Sequence, residues 1–462
     1  MLQNLTHADI EHFVKQRLTS NLAFKGLAAR DEASTSALIS EIVNKADGVF
    51  LWIRLVVKSL LNGIRNRDSI IILRERVRST PQELEHLYGH LLGLIEPLYL
   101  AWASKAFQIV RLSRNFEGVS GLEPLTLEVF SLAMQEEQGE HRRETLNRLK
   151  NELLRFDYEE VNIHLTARCA GLLECSSTQP LQVSGASTVG YLHATARNCM
   201  ESKSFWSKIL EHTQGARFNP YVSLLKAYAV LGKPSSALIY GHQIDWHFPE
   251  SKDHIVLLDY LDDTLSAYDN NGSKGVFCYT QDWHWSNNLS EVVRTPNPLT
   301  CFLDLATIYQ LRRYVKSKLE SENQHPVASS LLHRLLWNTD YVLDDKLPLP
   351  CAEMASLLLN SSANPNQRFN ELSAWEATLS YLLNYTLVQK RRWGLNLRMV
   401  LAYLPVAKLL LSAGANPRAR VFAEDWSGVF SVVEIMEGLK PRFPQLVLPV
   451  LEELHGQLAR TN

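Results

Sequence analysis

The feature that most limits the fold is a pair of short strand-like segments within an otherwise helical sequence. Residues 158–171 read as a helix that ends at Gly171, and the apolar segment Leu172–Cys175 follows directly. A connector containing Ser, Gln and Gly leads to a second strand-like segment, Val189–His193, and then to a helix with Arg197. Two strands joined by such a turn predict a β-hairpin, and a helix before a hairpin is typical of a winged-helix unit.

Apolar residues recur at helical spacing on both sides of this tract. Segments 35–45 and 70–78 are amphipathic, whereas 49–61 is apolar almost all round and is predicted to lie inside a helical bundle. Thr80 followed by Pro81 has the pattern of a helix start. We therefore predict a helix that begins there and carries an apolar stripe formed by Leu84, Leu87, Tyr88, Leu91, Ile95 and Leu98.

The length, composition and net charge of the chain limit the class of protein to which it can belong. The chain has 462 residues, 46% of them hydrophobic and 21% charged, which predicts two to four domains of a soluble globular protein. Lys plus Arg number 47 and Asp plus Glu 49, so a net charge of −2 gives no electrostatic reason to expect nucleic acid or a membrane as partner. Six dispersed cysteines favour a reducing compartment, and the N-terminus lacks the pattern of a secretory signal. We expect a cytoplasmic location.

Two similar segments occur near the C-terminus. MASLLLNSSANPN and VAKLLLSAGANPR align at Asn364-Pro365 and Asn416-Pro417, each with an amphipathic helix followed by a turn. Both resemble the second helix and turn of an ankyrin repeat, and Ser373–Glu376 lies where the next repeat would begin. The spacing departs from about 33 residues because 376–403 contains extra helical sequence. These segments predict degenerate, ankyrin-like repeats.

Several tracts, in order, resemble one family. They are ADGVFLWIRLVVKSLLNGI, TPQELEHLYGHLLGLIEPLYLAWASKAFQIVRLS, HLTARCAGLLEC and VGYLHATARNCMES, and the likeness extends over residues 1 to about 232. The order is similar to the region after the nucleotide-binding module of fungal NACHT-type signalling NTPases. These belong to the STAND class, which includes the NOD-like receptors. In that family the last two tracts form a domain of unknown function with winged-helix character.

The resemblance implies an NTPase module that this sequence does not contain. The family binds phosphates with a P-loop, GxxxxGK[ST], and none of the Lys-Ser pairs here follows the required glycines. By analogy, residues 1–34 correspond to the C-terminal end of the NACHT module, and the P-loop would lie upstream. We therefore predict no catalytic residues, no cofactor and no NTP hydrolysis by this chain alone.

His193 is the residue to which the resemblance gives a specific role. In STAND proteins a winged-helix histidine in an LHD-like motif contacts bound ADP, and Leu192-His193 falls at the matching position. The sequence departs from the family at Ala194 and Asn198. An imidazole N–H can donate to a phosphate oxygen, but it can equally bind a backbone carbonyl at a strand–helix junction. The sequence leaves both readings of His193 open.

Two alternative functions come from other residues. A metal-dependent enzyme could use the segment 242–284, which contains His242, His247, His254, His284, Asp245, Asp259, Asp262 and Asp263. Their spacing fits neither HExxH nor an EF-hand loop, so no metal site is predicted. A DNA-binding regulator would use Val161–Arg168 as its recognition helix, which is poor in Lys and Arg. We expect neither alternative to apply.

Together these observations predict a mainly α protein: a helical bundle, a winged-helix-like unit with a small hairpin, and an ankyrin-like α-solenoid tail. Its predicted function is that of a non-catalytic regulatory region of a NACHT-type signalling protein, binding other proteins through the tail. Oligomers would form through an upstream module. The predicted divisions are a NACHT remnant at 1–34, a helical domain at 35–102, a winged-helix-like domain at 103–206, a helical linker at 207–270, an irregular loop at 271–299, ankyrin-like repeats at 300–430 and capping helices at 431–462.

Overall fold

A computed structural model describes fifteen segments of the chain. They are residues 2–46, 50–81, 83–116, 123–135, 143–152, 157–176, 183–215, 218–248, 253–270, 302–321, 325–337, 349–369, 372–388, 397–423 and 428–460. The chain divides into two compact units. Unit 1 comprises 1–107, 159–178 and 189–216, and unit 2 comprises 108–158, 179–188 and 217–462. The predicted loop at 271–299 lies outside the described residues.

The first part of the chain is helical apart from one pair of strands. Its helices are α1 (Leu2–Thr19), α2 (Leu22–Arg30), α3 (Glu32–Lys45), α4 (Phe50–Arg65), α5 (Ile70–Ser79), α6 (Leu84–Gly93), a 3₁₀ turn at Pro97–Tyr99, α7 (Leu100–Arg114), α8 (Leu127–Met134), α9 (Arg143–Glu152), α10 (Tyr158–Arg168), α11 (Ala194–Met200) and α12 (Lys203–Glu211). Strands β1 (Leu173–Ser176) and β2 (Thr188–Tyr191) pair with each other. The predicted order of helix, two strands and helix is therefore confirmed for α10, β1, β2 and α11.

The second part consists of helices and two further strand pairs. The helices are α13 (Pro220–Val230), α14 (Pro234–His247), α15 (Asp253–Asn270), α16 (Phe302–Ile308), α17 (Arg312–Ser321), α18 (His325–Leu336), α19 (Ala352–Asn360), α20 (Ala374–Val388), α21 (Leu397–Ser412), α22 (Val432–Leu439) and α23 (Pro444–Arg460). Strands β3 (Arg368–Phe369) and β4 (Leu372–Ser373) form one antiparallel pair, and β5 (Arg420–Phe422) and β6 (Val429–Ser431) form another. The prediction of a mainly α fold is confirmed.

The core of unit 1 is built from α1 to α6. Val14, Leu38 and Leu60 are fully buried in one apolar cluster, as the helical spacing of these residues requires. Trp52 of α4 lies in the same cluster, and its indole N–H donates to the carbonyl of Pro81 at 2.6 Å. The almost continuously apolar α4 is therefore an interior helix, in agreement with its pattern.

The predicted helix start at Thr80 is wrong. Thr80 follows the last residue of α5, and its hydroxyl donates back to the carbonyl of Arg76 at 2.7 Å. Helix α6 begins at Leu84 and ends at Gly93, so the predicted stripe is cut short and Leu98 is 80% exposed. The capping pattern identified a real boundary, but the Thr80 hydroxyl bonds to a carbonyl four residues earlier and so ends the preceding helix instead of starting the next one.

Helices α16 to α23 form four consecutive pairs, which we call the repeat stack. Within each pair the two helices pack against each other. The first helices of successive pairs (α16, α18, α20 and α22) also pack together, as do the second helices (α17, α19, α21 and α23). Stacking of this kind buries a continuous core between repeated units.

The two similar segments found in the sequence occupy equivalent places in this stack. Each runs from a second helix through an Asn-Pro turn and a strand pair into the next first helix. The turns also bind each other: the Asn366 side chain donates to the carbonyl of Gly414 at 2.8 Å and accepts from the N–H of Asn416 at 2.8 Å. Trp375, fully buried, donates to the carbonyl of Asn416 at 2.9 Å. These contacts fix the spacing of the two turns.

Candidate functional site

His193 lies at the junction between β2 and α11. It has extended backbone angles (φ −158°, ψ 157°) and is the N-cap residue of α11. Its Nδ1 accepts from the backbone N–H of Thr195 at 3.2 Å, so the imidazole satisfies one of the unpaired N–H groups at the helix start. The side chain is exposed. At this junction the Nδ1 nitrogen of His193 therefore caps helix α11.

The hydrogen bonds around His193 determine which ring nitrogen carries the proton. A backbone N–H can only donate, so the bond from Thr195 requires an unprotonated Nδ1, which places the proton of the neutral ring on Nε2. The Thr195 hydroxyl lies 2.9 Å from the same Nδ1 and 2.6 Å from the hydroxyl of Tyr88. The 2.6 Å distance is that of a hydrogen bond between the hydroxyls of Tyr88 and Thr195 beside the ring. His193 then presents an N–H donor, the group that binds an oxyanion.

Tyr88 is almost fully buried in α6, and burial raises the pKa of its phenol. It therefore remains a neutral hydroxyl that can donate to Thr195. Sequence reasoning placed Tyr88 in the apolar stripe and did not single out Thr195. The LHATAR tract contains Thr195 two residues after the histidine, which is the only local signal of this pairing, since Tyr88 lies more than 100 residues earlier.

The strand pair next to His193 contacts α4. The N–H of Leu192 donates to the carbonyl of Leu172 at 3.0 Å, which joins the junction to the start of β1. Glu174 of β1 lies 3.6 Å from Arg54 of α4. Gly171 has φ +74°, and an added Cβ there would come within 2.6 Å of the Lys58 ammonium. A residue with a side chain would be strained at position 171, and the Lys58 ammonium would have to move.

The histidine and aspartate residues of 242–284 were the basis of the metal-enzyme alternative. Asp245 and His254 are paired at 3.1 Å, but both side chains are at most 1% exposed. Asp245 also accepts from the backbone N–H of Arg313, at the start of α17, at 3.1 Å. A carboxylate at a helix N-terminus is electrostatically favourable. The pair therefore joins α14, α15 and α17, and its position and burial are those of a structural contact.

The other three aspartates of the predicted cluster are paired with cations or a phenol. Asp259 lies 2.9 Å from Lys318, and Asp263 lies 2.9 Å from Arg143. Asp262 is 3.5 Å from the hydroxyl of Tyr314. Within the part of the chain that the structure describes, no group of three or more His, Cys, Asp or Glu residues could hold a metal ion. His284 lies outside the described residues.

Helix α10 was the recognition helix of the DNA-binding alternative. Its arginine, Arg168, lies over the rings of Tyr99 and Trp102 at 5.2 and 5.1 Å, so this guanidinium is occupied by cation–π contacts. Glu159 and Glu160 stand in the first turn of the helix. Binding of DNA phosphates needs cations on the exposed face of the helix. The engaged arginine and the two glutamates of α10 do not favour such binding.

Comparison with known families gives one match. Residues 94–235 match the model of a domain of unknown function, DUF7791, so the chain contains a DUF7791 domain. The matched segment includes β1, β2 and the His193 junction. No curated protein and no solved structure matches the chain. Among the helices in the described residues, none is long and apolar enough to cross a membrane.

Proposed function

We propose that this chain is a non-catalytic regulatory and protein-interaction region of a NACHT-type signalling protein. The observation that carries the proposal is the DUF7791 domain, because this domain is often found in NACHT-containing fungal proteins. The ordered tracts that resemble STAND proteins support the same assignment. The sequence contains no P-loop, so the chain alone is expected to leave ATP and GTP unhydrolysed.

In this proposal His193 contacts the phosphates of a nucleotide bound to a NACHT module. The geometry supports such a role in two ways: the imidazole is exposed, and its Nδ1 is already bonded to Thr195, which leaves the N–H of Nε2 as a donor. The bond to Thr195 also restricts the ring, so little rotamer freedom remains to be lost when a phosphate binds.

The repeat stack would bind a protein partner as an ankyrin-like tail. In the described parts of α16, α18 and α20 no residue is exposed. Each of the second helices, α17, α19, α21 and α23, has exposed residues. Apolar side chains are exposed near the C-terminal end, namely Leu401, Phe422, Val429 and Leu448. We therefore assign the partner surface to the second-helix layer and the β5–β6 hairpin rather than to α16, α18 and α20.

Sequencing of transcripts across the 5′ end of the gene, followed by expression of the product, tests the nucleotide role. We expect an in-frame upstream segment with GxxxxGK[ST] and a longer protein that retains ADP. In that protein His193→Ala should accelerate ADP release at least tenfold. His193→Asp should do the same although aspartate is a good N-cap residue, because a carboxylate repels phosphate.

Two results would contradict this role. If both variants release ADP at the wild-type rate, His193 acts only as a helix cap. If all transcripts begin at Met1, the chain has no nucleotide to contact and the interaction role alone survives. Phosphate release from ATP by the purified chain, above that of a heat-denatured sample, would contradict the non-catalytic assignment.

A further inference from the structure

The end of helix α5 carries an arginine-rich sequence that neither the family resemblance nor the proposed function uses. The residues are Arg74-Glu75-Arg76-Val77-Arg78-Ser79, so arginines stand five, three and one residues before a serine. Ser79 is the last residue of α5 and is exposed. The backbone leaves the helix at Thr80, which has extended angles (φ −79°, ψ 120°). The Ser79 hydroxyl donates to the carbonyl of Arg76 at 3.2 Å, and this exposed bond breaks when the helix end unwinds, which opens the hydroxyl to modification.

The arginines have the chemistry that a basic-selective protein kinase recognises. Such kinases select substrates by charge pattern, and carboxylates in their clefts bind guanidinium groups in a bidentate manner. In this structure Arg74 is paired with Glu41 at 2.9 Å, and Arg76 with Asp68 at 2.8 Å. Both arginine side chains are about one-third exposed (34% and 35%). Partly exposed ion pairs contribute little to stability, so a kinase cleft can compete for these arginines.

Lys45 of α3 lies against the same helix end. Its ammonium donates to the carbonyls of Val77 at 2.7 Å, Arg78 at 2.8 Å and Thr80 at 2.9 Å, the residues on both sides of Ser79. A cation among the last carbonyls of a helix satisfies unpaired acceptors and complements the helix dipole. Lys45 thus holds the end of α5 to α3, together with Glu41 of α3, which pairs with Arg74 at 2.9 Å and Arg78 at 3.0 Å.

We propose that Ser79 is a phosphorylation site for a kinase that selects arginines at the fifth and third preceding positions, and that the phosphate draws Lys45 away from the last carbonyls of α5. In the reaction a bond forms between the Ser79 Oγ and the γ-phosphorus of ATP, and the bond from that phosphorus to the β–γ bridging oxygen breaks. ADP leaves, and the hydroxyl proton passes to the catalytic carboxylate of the kinase.

The loss of contact between Lys45 and the last carbonyls of α5 follows from charge. A phosphoserine carries about −1.5 to −2 at pH 7, and a negative group at a helix C-terminus is unfavourable. Its oxygens are stronger acceptors for the Lys45 ammonium than neutral carbonyls are. When Lys45 moves to the phosphate, the carbonyls of Val77, Arg78 and Thr80 lose their partner. The last turn of α5 then opens more often.

Mass spectrometry of the full chain, incubated with ATP and the catalytic domain of such a kinase, tests the site. Phosphate should be found on Ser79, and Ser79→Ala should reduce total incorporation at least tenfold. The double variant Arg74→Lys/Arg76→Lys retains both charges but not the bidentate groups, and should also be modified at least tenfold more slowly. Phosphate on Thr80 instead, undiminished incorporation into Ser79→Ala, or an unmodified Ser79 under conditions in which the kinase modifies a standard peptide would overturn the assignment.

Hydrogen exchange tests this loss of contact separately. We expect the amides of residues 76–79 to exchange at least threefold faster in the phosphorylated chain than in the unmodified chain. In Lys45→Met the exchange should already be fast, and phosphorylation should add little. Unchanged exchange after phosphorylation of the wild-type chain would show that the phosphate leaves Lys45 in place. An equally large increase in Lys45→Met would show that Lys45 is not the responsible group.

Discussion

His193 and His254 form hydrogen bonds of similar length in opposite environments. His193 is exposed in unit 1 and caps α11 through the N–H of Thr195 at 3.2 Å. His254 is fully buried in unit 2 and binds the carboxylate of Asp245 at 3.1 Å. Loss of an exposed bond can be compensated by water, whereas a buried group that loses its partner keeps the full cost of desolvation. The comparison predicts a large structural effect at the buried site and a small one at the exposed site.

The largest effect is expected from Asp245→Ala. This change leaves His254 and the N–H of Arg313 without their shared buried acceptor, and breaking such a pair costs about 3–5 kcal/mol. Urea unfolding followed by circular dichroism should show a clearly lower midpoint for the transition that includes unit 2. Asp245→Asn retains an acceptor oxygen and should lose less.

Asp263→Ala provides the matched control. Asp263 is also an aspartate of unit 2 paired with an arginine, Arg143, but both side chains are at least half exposed. Exposed pairs contribute between zero and about 1 kcal/mol, so the midpoint should hardly move. If Asp245→Ala and Asp263→Ala shift the midpoint equally, burial is not the property that distinguishes these sites.

A second expected effect concerns His333, which is buried and has no carboxylate partner among the residues that the structure describes. Its ring lies 5.8 Å from that of Trp337 and 5.3 Å from that of Phe369, and burial lowers its pKa to about 4. An unfolded histidine titrates near 6.5, so between these values the unfolded chain binds the extra proton. His333 should therefore reduce the free energy of unfolding by roughly 3 kcal/mol as the pH falls from about 6.5 to about 4.

His333→Phe isolates this contribution. Phenylalanine keeps an aromatic ring against Trp337 and Phe369 but has no titrating group. Stability measured from pH 7 to pH 4 should therefore decrease less steeply in the variant. An identical pH dependence in both proteins would mean that other groups cause the loss.

Apart from the Asp263→Ala control, the smallest effect is expected from His193→Ala. Removing an N-cap side chain costs about 0.5–2 kcal/mol, and the exposed position allows water to replace part of the bond. Thermal unfolding should show a small decrease for His193→Ala and almost none for His193→Asn, because asparagine is a preferred N-cap residue. A loss as large as that of Asp245→Ala would remove the distinction between the exposed and the buried histidine.

Much of the local structure could be predicted because it depends on nearby residues. Apolar periodicity located α3, α4 and α5, and the Ser/Gln/Gly connector separated β1 from β2. The cap at Thr80 was misassigned because the same threonine can begin one helix or end another, and its contact with Arg76 decided between them. The position of His193 was predicted, but its pairing with Tyr88 was not, since no local pattern relates residues so far apart.

The sequence by itself determined that this protein is mainly helical, that one hairpin precedes His193, and that the turns at Asn364-Pro365 and Asn416-Pro417 are equivalent. Each of these depends on residue type and spacing over a few turns of chain. Only the tertiary structure decided which polar residues are buried and paired. Asp245 and His254 look as available as Asp263 in the sequence, and burial alone distinguishes them. Burial is set by elements distant in sequence, such as α17 against α14, so it is a property of the packed fold.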